Sequence, residues 1–238
     1  MKLIQWITLP ILLAVLGARP TPAVAADEDG VAIAIIYDTS GSMNDPVKDE
    51  TGKSSPKYII ANRALVAIAN RIQAFATNSL GASPRKVNTG LFVFQNDGPH
   101  TALPLGPFDA AAITRWARGF SKPGGGTPLG NTLSAASRAV LDSGLTRKHV
   151  LVITDGMNTV GPNPEAVLPR LKQEAQKKQT GLSVHFVAFD VDAQVFAGVK
   201  RLGATVVGAS NESQLNTQLE FILGKKILLE EEEPAKQK

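Results

Sequence analysis

The order of the strand-like and helix-like segments constrains the fold of this chain more than any other feature. Apolar runs of strand length alternate with segments in which apolar residues recur every three or four positions. The runs predict strands at residues 31–37, 87–94, 101–105, 148–154, 182–189 and 205–207, and the periodic segments predict helices at 57–77, 109–120, 129–141, 164–179, 193–202 and 212–229. This alternation is typical of a mostly parallel sheet with helices on both faces, so we expect an α/β fold.

One connection in this series predicts an antiparallel neighbour. Asp97-Gly98 is a strong signal for a short hairpin loop, so the strand at 101–105 should run back alongside the strand at 87–94. When the chain is followed up and down through the other elements, three distant segments, 38–42, 124–127 and 155–158, arrive at the same edge of the sheet. That edge carries the carboxyl ends of the parallel strands, where open α/β sheets bind ligands.

Oxygen-bearing side chains crowd these three segments. The first strand runs into DTSGS, which places Asp38, Ser40 and Ser42 at a spacing of two residues. Thr127 follows three glycines, and Asp155 comes directly after the strand at 148–154. Two carboxylates and three hydroxyls are ligands for a hard cation, so we expect Mg²⁺, with Mn²⁺ or Ca²⁺ as substitutes. Because few of these ligands are anionic, the bound cation would keep positive charge and attract a further carboxylate from outside.

These motifs, in this order, resemble the metal-ion-dependent adhesion site of the von Willebrand factor A (VWA) family. The resemblance extends from residue 31 to about residue 223. It implies a doubly wound, Rossmann-like sheet of six strands in the order 3-2-1-4-5-6, with strand 3 antiparallel. It also implies that Ser40, Ser42 and Thr127 are direct or near-direct ligands, while Asp38 and Asp155 act largely through water or hydrogen bonds. No position departs from the motif, so metal binding should be retained.

The resemblance further implies a binding module and not an enzyme. The chain would be a monomeric, exported domain of bacterial type whose cation is completed by an Asp or Glu of a protein partner, and the last helix would shift on binding. Two alternatives remain open: a metal-dependent hydrolase or accessory subunit of an envelope enzyme complex, and an envelope scaffold that binds without metal. A hydrolase needs a general base or nucleophile beside the metal, and the three segments offer only ligand-type residues.

The N-terminus has the three parts of a secretory signal peptide. Lys2 supplies positive charge, residues 4–17 form an apolar stretch too short to span a bilayer comfortably, and Ala23-Val24-Ala25 suits a signal peptidase. We therefore assign residues 1–25 to a signal peptide, 26–225 to the VWA domain and 226–238 to a charged C-terminal tail. The mature chain, with no membrane span, is expected in the periplasm or outside the cell.

Composition argues against several other classes of protein. The chain has no cysteine, so its stability must come from an apolar core and not from disulfides. Loss of Lys2 and Arg19 with the signal peptide would leave 23 basic and 21 acidic residues, and the basic residues form no stripe with interleaved aromatics. Nucleic acid is therefore not expected as a partner. The histidines at 100, 149 and 185 are each expected to stand alone, without a nucleophile partner.

Two polar segments near the predicted site have open roles. Asp190 and Asp192 follow the strand at 182–189 on the same edge, where they could form an acidic rim, although Asp192 is better explained as the cap of the following helix. Residues 44–56 form a long polar stretch next to Ser42. This stretch is either a solvated connector or part of the recognition surface.

Overall fold

The computed structural model describes residues 27–77 and 85–228. The predicted signal peptide and the part of the predicted tail from residue 229 onwards lie outside the described residues. The strands are β1 Glu28–Tyr37, β2 Pro46–Lys48, β3 Ser54–Pro56, β4 Val87–Gln95, β5 Gly98–Pro107, β6 Leu145–Thr154, β7 Ser183–Phe189 and β8 Thr205–Ala209. The α-helices are α1 Lys57–Thr77, α2 Ala110–Gly119, α3 Leu129–Leu141, α4 Pro164–Lys177, α5 Ala197–Arg201 and α6 Glu212–Phe221, with 3₁₀ turns at Gly41–Asn44 and Ala193–Phe196 and a π-helix at Ile222–Ile227.

Six of the strands form one sheet in the order β5-β4-β1-β6-β7-β8. β5 runs antiparallel to β4, and the other neighbouring pairs are parallel. When these six strands are numbered along the chain, their order is 3-2-1-4-5-6 with the third antiparallel, so the predicted doubly wound α/β fold is confirmed.

From Val31 to Tyr37 the central strand β1 is buried on both faces, which explains the unbroken apolar sequence of this part. Val31, Ile33 and Ile35 pack into the apolar cluster formed with α1, α2 and α6. Ala32 and Ile36 face the other way, into the cluster formed with α3 and α4. Because every residue from Val31 to Tyr37 is buried between the helix layers, the next polar side chain along the chain is Asp38, where the strand ends.

The β4–β5 hairpin is present, but its turn lies one residue earlier than predicted. Gln95 pairs with Gly98, so the two turn residues are Asn96 and Asp97 and not Asp97-Gly98. Both have positive φ, at 50° and 57°. Asn and Asp tolerate this left-handed conformation better than other non-glycine residues, which leaves Gly98 free to start β5.

The polar stretch 44–56 is not simply a connector, because it contains a small antiparallel hairpin of β2 and β3. The side chain of Asp49 organises its turn: Oδ1 accepts hydrogen bonds from the backbone N–H groups of Thr51 and Lys53, both at 2.9 Å, and Oδ2 accepts one from Ser55 Oγ at 3.0 Å. The hydroxyl of Thr51 also donates to Oδ1, at 2.8 Å, and this bond is the largest of the contributions that hold the pKa of Asp49 below its ordinary value. Sequence periodicity could not reveal strands only three residues long.

The helices agree closely with the predicted segments, and two of them begin at a side chain that caps the helix. Asp109 accepts a hydrogen bond from the backbone N–H of Ala112 at 3.0 Å, and Asn211 accepts one from Gln214 at 2.9 Å. The last helix differs, since it changes to π geometry after Phe221. Within residues 27–77 and 85–228, no helix combines the length and the apolarity needed to cross a bilayer.

The packed core extends past the boundary predicted at residue 225. Ile227 and Leu228 are buried, with exposed fractions of 0% and 4%. Both belong to the cluster on the α1 side of the sheet. The beginning of the predicted tail therefore contributes to the core.

Candidate functional site

The site lies at the carboxyl edge of the two central strands. Asp38 follows β1 and Asp155 follows β6, and the backbone N–H of Asp38 donates to the carbonyl of Ile153 at 3.0 Å. This bond continues the parallel ladder one step past the end of β1. The two carboxylates are therefore held by the same backbone pairing that builds the centre of the sheet.

Four of the five predicted ligands form one chain of hydrogen bonds. The backbone N–H of Ser40 donates to Asp38 Oδ1 at 2.8 Å. Ser40 Oγ and Ser42 Oγ are 3.1 Å apart, and Ser42 Oγ donates to Asp155 Oδ1 at 2.8 Å. Asp38 and Ser40 are buried, with exposed fractions of 0% and 2%, and Asp155 is 5% exposed. The oxygens of two segments distant in sequence are thus brought within hydrogen-bonding distance of one another.

The glycine-rich loop is attached to the first segment through its backbone. Gly124 N–H donates to the carbonyl of Thr39 at 2.9 Å, and Gly41 N–H donates to the carbonyl of Gly125 at 3.1 Å. Gly125 has a φ of +76°, a conformation that a side chain would strain. The glycine therefore permits the turn that brings the loop onto the residues between Asp38 and Ser42.

Thr127, the fifth predicted ligand, is placed by this loop and by the segment after β6. Its backbone N–H donates to Thr159 Oγ1 at 2.8 Å, and the N–H of Thr159 donates back to the carbonyl of Thr127 at 3.0 Å. Thr127 is only 4% exposed. The three segments predicted to share one edge of the sheet lie together there, as the up-and-down course of the chain through its strands and helices required.

The charge of Asp38 is strongly influenced by its surroundings. Burial raises the pKa of this carboxyl to about 6, the negative charge of Asp155 adds to the rise, and hydrogen bonds from Ser40 and Thr154 oppose it. Thr154 Oγ1 donates to Asp38 Oδ2 at 2.5 Å. Sequence reasoning missed this role of Thr154, although its position directly before Asp155 at a strand end could have suggested it.

Lys57 is the main residue of the site that the sequence did not reveal. It is the first residue of α1, and its Nζ lies 3.0 Å from Asp155 Oδ2 and 3.1 Å from Asp190 Oδ2. Burial opposes the charge of this ammonium, but the two carboxylates outweigh burial and raise the pKa of Lys57. The expectation that the edge held only ligand-type residues is therefore wrong. The up-and-down course of the chain that placed the three segments also places the start of α1 on this edge. The sequence could therefore have indicated that Lys57 lies near the site.

The acidic residues after β7 have different roles. Asp192 caps the following 3₁₀ turn, since its Oδ1 accepts from the backbone N–H of Gln194 at 2.9 Å. Asp190 adjoins the site through Lys57 and has a φ of +55°. The capping role expected for Asp192 is confirmed, and Asp190 alone belongs with the site.

The histidines contribute nothing to this edge, and two of them are not alone. His149 on β6 and His185 on β7 are buried with their rings stacked, and Nδ1 of His149 lies 3.3 Å from Nε2 of His185. The expectation of isolated histidines is wrong, because β6 and β7 pair with a register that brings these rings together. His100 is exposed on β5.

The donor set fits a hard divalent cation. In the part of the chain that the structure describes, no three His, Cys, Asp or Glu side chains are placed to hold a metal ion together. The donors gathered here are instead the hydroxyls of Ser40 and Ser42 with the carboxylates of Asp38 and Asp155. Oxygen donors of this kind suit Mg²⁺, Mn²⁺ or Ca²⁺.

Comparison with known proteins agrees with this architecture. The model of the von Willebrand factor type A domain matches residues 32–220, and the chain therefore belongs to this family. Among curated proteins, no sequence gives a significant match.

Several solved structures share the fold at low sequence identity. The vWF domain of the type V pili tip protein Mfa5 from Porphyromonas gingivalis is 14% identical, with a TM-score of 0.59, over 82% of this chain and 94% of that one. The PilB minor pilin from Streptococcus sanguinis is 16% identical, with a TM-score of 0.60, over 82% and 60%. Proximal thread matrix protein 1 from the mussel byssus, solved with a zinc-occupied MIDAS motif, is 18% identical, with a TM-score of 0.59, over 83% and 48%. The chain thus spans about half of the matrix protein and three fifths of the pilin.

Proposed function

We propose that this chain is a protein-binding module that holds a divalent cation at the carboxyl edge of its sheet and uses it to bind a carboxylate of another protein. The observation that carries the proposal is the hydrogen-bonded chain from Asp38 through Ser40 and Ser42 to Asp155. These residues, together with Thr127 on the adjoining loop, would supply the oxygen ligands. The cation would supply positive charge that an Asp or Glu of the partner neutralises.

The chemistry of the donors favours Mg²⁺, with Mn²⁺ or Ca²⁺ as substitutes, because hydroxyl and carboxylate oxygens are hard ligands. One protein of similar fold has zinc in its MIDAS motif, which supports a cation at the corresponding edge without deciding its identity here. The proteins of similar fold also include a pilus tip protein and a minor pilin. These names agree with export through the signal peptide predicted at 1–25, to the periplasm or beyond.

A hydrolase is the less favoured function because the basic group at this edge is already engaged. Lys57 is ion-paired with both Asp155 and Asp190, and its pKa is raised, so it has no lone pair to offer as a base near neutral pH. Asp38 already accepts hydrogen bonds from Ser40 and Thr154. These contacts suit residues that hold a cation in place and not residues that move a proton.

Cation-dependent capture tests the proposal. The chain is immobilised and exposed to envelope extract in Mg²⁺ or in EDTA, alongside Ser42→Ala and the matched variant Ser213→Ala, which changes an exposed serine of α6. We expect partners retained only with Mg²⁺. Ser42→Ala should lower Mg²⁺ affinity at least roughly tenfold and lose these partners, because it removes a proposed ligand, while Ser213→Ala should retain them.

A second measurement addresses the partner carboxylate. A captured partner is compared with variants in which single exposed Asp or Glu residues are changed to Asn or Gln. One such change should abolish Mg²⁺-dependent binding while leaving the partner folded. Equal capture in Mg²⁺ and EDTA by all three forms of this chain would contradict the proposal and would favour a metal-independent scaffold.

A further inference from the structure

Lys57 is a buried ammonium inside the oxygen cluster. The side chain of Lys57 is 6% exposed, that of Asp155 is 0% exposed and that of Asp190 is 36% exposed. Burying a charge is costly unless it is paired, so this lysine depends on its two carboxylates. The start of α1 is fixed by the backbone bond from Lys57 N–H to the carbonyl of Asp45 at 3.0 Å, which anchors the base of the side chain.

Both oxygens of Asp155 are engaged. Oδ1 accepts the hydrogen bond from Ser42 Oγ, and Oδ2 pairs with Lys57 Nζ. A cation held by the serine hydroxyls would therefore share the negative charge of Asp155 with the ammonium. The ammonium lowers the attraction of this carboxylate for the cation, since the two positive charges repel each other at short range.

Asp190 is the second carboxylate that pairs with this ammonium. Its Oδ2 lies 3.1 Å from Lys57 Nζ, a distance nearly equal to the one from Asp155. Its backbone is held at the end of β7 by a bond from Asp190 N–H to the carbonyl of Ala209 at 2.6 Å. Asp190 thus adds negative charge near the site and shares the ammonium with Asp155, which offsets part of its positive charge.

We propose that Lys57 and Asp190 are an opposed pair that sets the cation affinity of this site, with Lys57 weakening it and Asp190 strengthening it. This inference rests on the proposed function, because it requires a cation at the Ser40–Ser42 hydroxyls. Neither residue is a ligand in this arrangement. Each acts through Asp155, and together they keep the cation weakly held, so that a partner carboxylate contributes a large share of its binding.

The opposed pair predicts that two single substitutions change the cation affinity in opposite directions. Lys57→Met leaves three carboxylates without the ammonium, and it should tighten Mg²⁺ and Mn²⁺ binding at least roughly tenfold. Asp190→Asn removes one carboxylate and leaves the ammonium to Asp155 alone, and it should weaken binding by roughly the same factor. The double variant should bind within about threefold of the wild type, because the two changes compensate.

Isothermal titration calorimetry of the purified chain with MgCl₂ and MnCl₂, with no protein partner present, measures these affinities. Lys53→Met removes an equal charge from the exposed turn between β2 and β3. Asp29→Asn does the same for an exposed carboxylate at the start of β1, at the end of the strand opposite the site. Both controls should leave the affinity within about twofold of the wild type, because solvent screens exposed charges.

Thermal unfolding provides a readout that a purely structural lysine would not give. In EDTA, Lys57→Met should unfold at a lower temperature than the wild type, because Asp155 loses its buried partner. Saturating Mg²⁺ should raise its midpoint more than it raises that of the wild type. If Lys57→Met does not fold in EDTA, Asp190→Asn and the double variant still carry the test through their affinities.

The outcomes separate this inference from the function on which it rests. Wild-type chain that binds neither Mg²⁺ nor Mn²⁺ overturns both. Wild-type chain that binds a cation, with single variants that leave the affinity unchanged or shift it in the same direction, overturns the opposed pair and leaves the proposed function standing. Opposite shifts that cancel in the double variant support it.

Discussion

At the scale of single residues, the side chain of Thr39, just after β1, takes the place of backbone hydrogen bonds to β4. Thr39 Oγ1 donates to the carbonyl of Phe94 at 2.8 Å and accepts from the N–H of Phe94 at 3.0 Å. The backbone register between β1 and β4 ends at Ile36 and Phe92, so this hydroxyl connects the two chains beyond the ladder. Thr39 is 4% exposed, and both of its hydrogen bonds are buried.

Thr39→Val tests the contribution of this hydroxyl. The change keeps the shape of the side chain but leaves a buried N–H and a buried carbonyl without their partner, so it should lower the free energy of unfolding by roughly 1–3 kcal/mol. Urea denaturation followed by circular dichroism measures the change. The control Thr101→Val, on an exposed residue of β5, should stay within about 0.5 kcal/mol of the wild type. Equal stability of Thr39→Val and wild type would contradict this role.

At the scale of elements, the start of α3 determines where Thr127 lies. The cap residue Pro128 provides no side-chain hydrogen bond, and the helix start is held instead by contact with the loop after β6. Gly130 N–H donates to Asn158 Oδ1 at 3.1 Å, and a Cβ at Gly130 would stand 2.0 Å from the carbonyl oxygen of Pro162. The glycine is therefore required by close packing of the helix against this loop.

Gly130→Ala should force the helix and the loop apart. Overpacking of this kind costs typically about 1–3 kcal/mol of stability, and the shift of α3 should also weaken Mg²⁺ binding because Thr127 precedes the helix. Thermal unfolding and calorimetry measure the two effects. Gly119→Ala is the matched control: no atom lies within 4 Å of its added Cβ, so it should leave stability equal or raise it by about 0.4–1 kcal/mol. A Gly130→Ala variant as stable as Gly119→Ala would refute the packing argument.

At the scale of the whole molecule, the buried histidine pair couples the stability of the fold to pH. Burial lowers the pKa of His149 to about 3, with a further contribution from His185, and burial lowers the pKa of His185 to about 4, with a contribution from Lys226. Unfolded histidine has a pKa of about 6.5. Between these values the unfolded chain binds more protons than the folded chain, so the stability present above about pH 6.5 is lost as the pH falls towards 4.

Replacing both histidines should make the free energy of unfolding depend less steeply on pH between pH 6.5 and pH 4. Each histidine contributes at most about 1.4 kcal/mol per pH unit to the slope, so His149→Leu/His185→Leu should lose stability less steeply than the wild type between pH 6.5 and pH 4. Denaturation in EDTA across this range measures the slope without any contribution from bound cation. The exposed His100→Leu serves as the control and should keep the wild-type slope. Parallel slopes for the double variant and the wild type would show that the pair is not the cause.

The sequence by itself determined the order of the elements, the fold and the residues to consider at the edge. Apolar periodicity is a local property, so α1 and α3 were predicted with the bounds that the structure has. Asp38, Ser40 and Ser42 are also close in sequence, and the direction of each strand follows from the connections. These inferences needed no knowledge of which side chains meet.

Only the tertiary structure decided which charged groups meet. Lys57 and Asp155 are 98 residues apart in sequence, His149 and His185 are 36 apart, and neither contact has a local signal. The position of the β4–β5 turn and the β2–β3 hairpin likewise depend on register and on the hydrogen bonds of Asp49. The reason is physical: spacing along the chain specifies periodic burial, whereas ion pairs and ring contacts depend on the register and packing of strands and helices distant in sequence.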